Sequence, residues 1–171
     1  MRRIRYRVAM SLDGYIAGPN GEADWIVMDP DVDFAAIWKQ FDAILVGRKT
    51  FDVMARAGNT GMPGVKTYVV SRTLKHDEYP GVTILRGQIE ETVARLRNEL
   101  GKDIWLFGGG ELFRSLLEAG LVDTVEVAVM PVLLGGGIPL LPPPTAQNKM
   151  RLTSHKVYKT GIVALEYALV R

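Results

Sequence analysis

Ile104-Trp105-Leu106-Phe107-Gly108-Gly109-Gly110-Glu111-Leu112-Phe113 is the stretch on which the fold turns. Its first four residues form a hydrophobic strand that runs straight into three glycines. A helical pattern starts at once: Leu112, Phe113, Leu116 and Leu117 share a face, and Gly120 stops it. Strand, glycines and helix in that order can hold phosphate. Residues without side chains let a pyrophosphate touch the backbone, and the free N–H groups and positive dipole end of the helix face the anion. The same residues also suit a tight turn that needs positive φ. A short glycine motif does not by itself choose between the two.

Outward from this junction, strands alternate with helices. Residues 43–46 are a short apolar strand leading into Gly47-Arg48-Lys49-Thr50, and 50–57 read as a short helix ended by Gly58. Residues 66–71 and 82–85 are two further strands. Ile89, Val93, Leu96 and Leu100 stripe an amphipathic helix with Gly101 as its C-cap. Residues 123–130 alternate as a strand, and 131–144 form a Gly/Pro-rich loop. Residues 152–158 and 162–170 flank Lys159-Thr160-Gly161 as a hairpin.

On the N-terminal side, Arg3, Arg5 and Arg7 alternate with Ile4, Tyr6 and Val8. That predicts a half-buried strand whose basic face is solvated or meets another subunit. Residues 13–28 read as a long polar loop. Asp29-Pro30 then looks like an N-cap with proline at the first helical position, followed by Phe34, Ile37, Trp38 and Phe41 at helical spacing. The expected architecture is one α/β domain over residues 1–171. Its sheet should be mostly parallel, with flanking helices and a C-terminal antiparallel hairpin.

Composition narrows the function. The chain has 171 residues, 47% hydrophobic and 23% charged, enough for a full core. A net charge of +2 argues against a nucleic-acid partner, and no second basic cluster supports the arginine strand in that role. With no cysteine there are no disulfides and no thiol catalysis, which fits a reducing compartment. The two histidines, His76 and His155, lie far apart in sequence, so no metal site is expected. The first eight residues carry four arginines and no apolar core of a signal peptide, and no apolar run is long enough to span a bilayer. A soluble cytoplasmic protein without membrane or nucleic-acid partners is the expectation.

In parallel sheets, ligands bind beyond the carboxyl ends of strands. Three glycine or polar junctions fall at such ends: Gly47-Arg48, Ser71-Arg72 and Gly108-Gly109-Gly110. Arginine offers a planar fork of donors suited to phosphate. Ser71 adds a hydroxyl, and Thr50 caps a helix or reaches a phosphate. Together these groups suit a ligand carrying a pyrophosphate and a separate phosphate, which describes NADPH. Its pyrophosphate would meet the glycine helix, and its 2′-phosphate Arg48, Ser71 and Arg72.

Four segments recur in this order in the dihydrofolate reductase superfamily: residues 9–14 (Ala-Met-Ser-Leu-Asp-Gly), 46–51 (Val-Gly-Arg-Lys-Thr-Phe), 69–72 (Val-Val-Ser-Arg) and 107–112 (Phe-Gly-Gly-Gly-Glu-Leu). The chain most resembles the branch containing the reductase domain of the riboflavin-biosynthesis deaminase-reductase, with its stand-alone dihydrofolate-reductase-like members. Residues 131–137 (Pro-Val-Leu-Leu-Gly-Gly-Gly) also resemble that branch. The resemblance implies an NADPH-binding reductase fold around a central sheet of about eight strands. It places Gly47, Arg48 and Thr50 near the cofactor's phosphates and ribose, and Ser71 and Arg72 on the 2′-phosphate. It brings Gly108, Gly109, Gly110, Glu111 and Leu112 to the pyrophosphate, and Ala9 and Ile16 to the nicotinamide. The loop from Gly14 to Trp25 matches a lid over the nicotinamide, with Trp25 on the substrate side. Such a lid excludes water from hydride transfer.

Dihydrofolate reductases carry an acid at the start of the helix after this lid, where it pairs with the pterin. Here Asp29, Asp31 and Asp33 cluster there, and ungapped counting back from Gly47 favours Asp31 as the catalytic and substrate-binding acid. The Ser-Leu-Asp-Gly start belongs to the riboflavin-type reductases, so Asp13 is a second candidate for substrate and proton. Glu111 would repel a pyrophosphate it faced, and so should point aside or toward substrate. The expected activity is NADPH-dependent hydride transfer to a small heterocycle, either dihydrofolate or a ribosylated aminopyrimidine. A non-catalytic NADPH-binding or regulatory protein of the same fold is the alternative. The long Pro/Gly loop and the resemblance are compatible with a homodimer.

Overall fold

The computed structural model describes residues 1–171. Along the chain come β1 (Ile4–Ser11), β2 (Tyr15–Ala17), α1 (Phe34–Trp38), β3 (Phe41–Gly47), α2 (Arg48–Arg56), β4 (Lys66–Val70) and β5 (Thr83–Leu85). Then follow α3 (Ile89–Asn98), β6 (Asp103–Gly108), α4 (Gly110–Glu118), β7 (Thr124–Met130), β8 (Ile138–Pro139), β9 (Met150–Val157) and β10 (Val163–Leu169). Eight of the strands form one sheet in the order β5-β4-β3-β6-β1-β7-β10-β9. The pairs from β5 to β7 are parallel, and β10 lies antiparallel to β7 and β9. No helix is long and apolar enough to cross a membrane.

The even residues Ile4 and Tyr6 of β1, with Leu106, Val125 and Val127 from its neighbours, enter the main core. Phe113, Leu116 and Leu117 of α4 close that core from above, and the Tyr6 and Phe113 rings stack at 3.8 Å between centroids. The opposite sheet face packs Phe41, Ile44 and Trp105 against Ile37 and Trp38 of the short α1. Tyr6 is fully buried, and that burial raises its phenol pKa well above the ordinary value.

Three elements depart from the expectation. The helix expected from Asp29 starts at Phe34, because Asp33 is the cap: its carboxylate accepts the Ala36 N–H at 2.9 Å. The helix of the Ile89 stripe ends at Asn98, before Leu100 and Gly101. The two loops at 13–28 and 131–144 contain short strands, β2 and β8, that pair with each other. Gly137 permits this approach, since a Cβ there would lie 2.2 Å from the Ala17 carbonyl oxygen.

The basic face of β1 is a further correction. β1 is an interior strand, so Arg5 is 4% exposed rather than solvated. Glu126 of β7 takes Arg5 Nε at 2.6 Å and Nη2 at 3.0 Å, and also Arg7 Nη1 at 2.7 Å. Burial works to lower the Arg5 pKa, but its bonds and charge pairing with Glu126 reverse the effect and raise it. Burial likewise works to raise the Glu126 pKa, and Arg5 carries it below the usual range. Arg5 and Arg7 are therefore paired with Glu126 inside the sheet, and Arg3, 55% exposed, pairs with Asp103 at the start of β6.

Candidate functional site

A cavity of about 1450 Å³ runs across the carboxyl ends of the parallel strands. At one end, two helix N-termini converge on it. Gly47 precedes α2 and Gly109 precedes α4, and neither helix carries a side-chain cap. A Cβ on Gly47 would lie 3.7 Å from both Gly108 O and Gly109 N, so the two turns lie side by side. Their first-turn N–H groups are left for a ligand, and both dipoles present positive ends. Two of the glycines at this junction have a steric reason: a Cβ on Gly108 or Gly109 would come within 3.2 Å of the Thr50 hydroxyl.

Gly110 has a different reason. A Cβ there would meet Pro142 Cδ at 2.9 Å and Pro139 O at 3.0 Å. It is small so that the 138–142 segment can pack on the start of α4. Leu112 is buried against the core on one side and reaches the cavity on the other. Glu111 points aside, its carboxylate 2.8 Å from Arg114 on the same helix. Glu111 still lines the cavity.

Arg48 also lines the cavity. Its Nε donates to Asp52 at 2.7 Å and its Nη1 to the Thr73 hydroxyl at 3.1 Å. The second bond ties the β3–α2 turn to the loop after β4. In that loop the Ser71 hydroxyl oxygen accepts the N–H groups of Thr73 at 3.2 Å and Leu74 at 3.0 Å. Ser71 is buried and Arg72 exposed, and neither lines the cavity itself. They border its arginine end through Thr73.

The floor of the cavity is the sheet. Ala9, Ala128 and Ala164 stand in register across β1, β7 and β10, and all three line it. Ile16 and residues 19–21 of the lid border the same space. The lid is internally organised by Glu22, whose carboxylate accepts the Asn20 backbone N–H at 2.8 Å and side-chain amide at 2.9 Å. Trp25 Nε1 donates to the Glu22 carbonyl at 2.9 Å, and Trp25 does not line the cavity.

The expected acids are placed elsewhere. Asp13 accepts the Ser11 hydroxyl at 2.6 Å and the N–H groups of Leu134 and Gly135 at 3.1 and 2.8 Å. These bonds, led by that from Ser11, lower its pKa to about 2. Asp13 is thus a pin between two loops and lies outside the cavity lining. Asp31 is exposed and also outside it, and Asp33 is used as a helix cap. Asp29 does line the cavity, but its carboxylate is taken by Thr160.

Sequence reasoning missed the charged groups on the cavity floor. Arg7 and Glu126 line it, two residues below Ala9 and Ala128 on the same sheet face. So do Glu166, Lys156 and Tyr158 from the terminal hairpin. The available signal was Glu126, a lone carboxylate in an alternating apolar strand, which requires a buried cation partner.

The chain is similar to several known proteins. The YyaP protein of Bacillus subtilis strain 168, itself uncharacterized, is 35% identical over 97% of this chain and 94% of its own. A candidate riboflavin biosynthesis protein of Shewanella sp. PV-4 superposes over the whole of both chains with a TM-score of 0.84 and 26% identity. Dihydrofolate reductase of Enterococcus faecalis, solved with NADP(H), shares the fold with a TM-score of 0.69 at 17% identity, covering 99% of this chain and 97% of that one. Residues 2–164 match the RibD C-terminal domain model, and the chain belongs to that family.

Proposed function

We propose that the protein is an NADPH-dependent reductase that transfers a hydride to a small heterocyclic substrate. One observation carries the reading: two uncapped helix N-termini converge beside an arginine at one end of a cavity whose other end is a flat floor under a lid. The reductases named among the structural relatives, one of them solved with NADP(H), support it.

NADPH, when bound, supplies the hydride. Every other task falls to the chain. Gly47, Gly108 and Gly109 admit a pyrophosphate to the backbone N–H groups of α2 and α4. Arg48, with Ser71 and Arg72 beyond Thr73, meets the 2′-phosphate. Ala9 and Ile16 border the nicotinamide, and the small side chains of Ala128 and Ala164 leave room for a substrate ring beside it. The lid, held to β8 through β2, excludes water. Arg7, held by Glu126, presents its remaining donors to the substrate.

Titration with NADPH and NADH, followed by NADPH oxidation with dihydrofolate and a pyrimidine panel, tests the reading. Tight NADPH binding, weaker NADH binding and turnover of one ring are expected. Equal weak binding of both cofactors would overturn the roles of Arg48, Ser71 and Arg72. Tight NADPH binding with no turnover on any ring would leave a nucleotide-binding protein instead.

A further inference from the structure

Glu166 is a carboxylate that the fold leaves unpaired on the cavity floor. Arg7 of β1, Glu126 of β7, Glu166 of β10 and Ser154 of β9 stand in one row across the sheet. All four line the cavity. Glu126 is saturated: it accepts two bonds from Arg5, one from Arg7 and one from the Thr124 hydroxyl at 2.8 Å. Glu166 is half-buried, directly opposite Glu126, and its carboxylate takes part in no hydrogen bond or ion pair. Like charges facing each other across a strand pair are unfavourable. The nearby cations are already engaged. Arg5 is bound to Glu126, and the Lys156 ammonium sits over the Tyr158 ring, 4.7 Å from its centroid.

Arg7 is complementary to this. Only its Nη1 is bonded, so the Nε and Nη2 donors of a guanidinium already fixed by Glu126 remain free. The row therefore offers a donor fork on β1 and an empty acceptor on β10. Two strand spacings separate their backbones, roughly 10 Å, and both residues line the cavity.

We infer that Glu166 and Arg7 together read the polar edge of the substrate. Glu166 accepts ring N–H or amino hydrogens, and Arg7 donates to a ring carbonyl. The substrate class is then a flat heterocycle in which N–H donors adjoin a carbonyl, as in a cyclic ureide. This rests on the reductase reading above and adds the group that selects the ring. A saturated Glu126 and a latched Asp29 leave Glu166 to do what a free helix acid would do.

The test uses the whole chain saturated with NADPH, and uracil and N,N′-dimethyluracil as probes, followed by calorimetry. NADPH affinity is measured first, on wild type and on Glu166→Gln. Uracil is expected to bind wild type at least about 10-fold more tightly than the dimethyl ring, as for hydrogen bonds to a charged group. Glu166→Gln should keep its NADPH affinity and lose that discrimination. Equal binding of the two rings to wild type, absence of uracil binding, or unchanged discrimination in Glu166→Gln would overturn the role of Glu166. Failure of wild type to bind NADPH would instead overturn the underlying cofactor reading. The two-ring comparison on wild type stands even if the variant does not fold.

Discussion

Thr160 donates its backbone N–H and its hydroxyl to the same oxygen of Asp29, at 3.2 and 2.6 Å. The two residues are 131 positions apart, one in the segment before α1 and the other in the β9–β10 turn. Their bond ties the start of the 29–33 segment to the terminal hairpin beside the cavity. It also occupies the one acid of the Asp29, Asp31 and Asp33 cluster that reaches the cavity.

Thr160→Val should therefore loosen the substrate wall while leaving the cofactor end intact. The expected outcome is a raised KM for the reducible ring with unchanged NADPH affinity, and Thr160→Ser should restore wild-type behaviour. The Thr160 hydroxyl leads the groups that lower the Asp29 pKa. A carboxyl depressed in the folded state adds stability above its unfolded pKa and loses it as pH falls through the lower folded value. The unfolding-midpoint difference between wild type and Thr160→Val should be full at neutral pH and shrink in acid.

Glu126→Ala should destabilise the protein by about 3–5 kcal/mol, because it removes the bidentate carboxylate of the buried Arg5 and leaves only the bonds of its Nη1 to Gln40 and Asp103. Arg3→Ala, which breaks an ion pair whose arginine is 55% exposed, should cost below about 1 kcal/mol. Urea unfolding of the two variants checks the contrast. Equal effects would show that Gln40 and Asp103 suffice to hold Arg5.

Gly110→Ala should cost about 1–3 kcal/mol and weaken NADPH binding, since the new methyl meets Pro142 and the Pro139 carbonyl and pushes α4 from its place. Gly136→Ala is the control: a Cβ there meets nothing within 4 Å. Thermal unfolding and NADPH titration distinguish the two.

Asp13→Ala should free the 131–137 loop from β1 and lower the melting temperature. With the folded Asp13 pKa near 2 and the ordinary aspartate value at ~3.9, the carboxylate stabilises the fold fully above about pH 4. That contribution should fade as pH falls toward about 2. Melting curves of wild type and variant across this range should converge at the acid end.

Arg72→Ala should weaken NADPH relative to NADH by about 1.5–3 kcal/mol, the worth of a hydrogen bond to a charged group. Parallel titrations measure it. An unchanged ratio would leave Arg48 to meet the phosphate alone.

Most of the sheet was legible because its signals are local. Residues 104–107 and 123–130 are apolar or alternating runs bounded by glycine or polar residues, and each became a strand within a residue or two at its ends. The strand–glycine–helix junctions at Gly47 and Gly109 were legible for the same reason, since their parts are contiguous. The start of α1 was not. Asp29 and Asp33 are both sound caps by sequence, and the choice fell to Thr160, far along the chain, which claims the Asp29 carboxylate. The arginine strand misled because exposure depends on neighbours. An interior strand buries both faces, and no periodicity in β1 says that β6 and β7 flank it.

Local order thus came from side-chain spacing: the α/β alternation, the terminal hairpin, the glycine cradle and its arginines are all written in neighbouring residues. The charged row on the cavity floor was decided by the tertiary structure alone. Arg7, Glu126 and Glu166 are three charges from three strands, placed in one row by sheet register. Whether a carboxylate is a latch, a pin, a buried counter-ion or a free acceptor depends on which donors lie within about 3 Å. Those donors arrive only when distant segments pack.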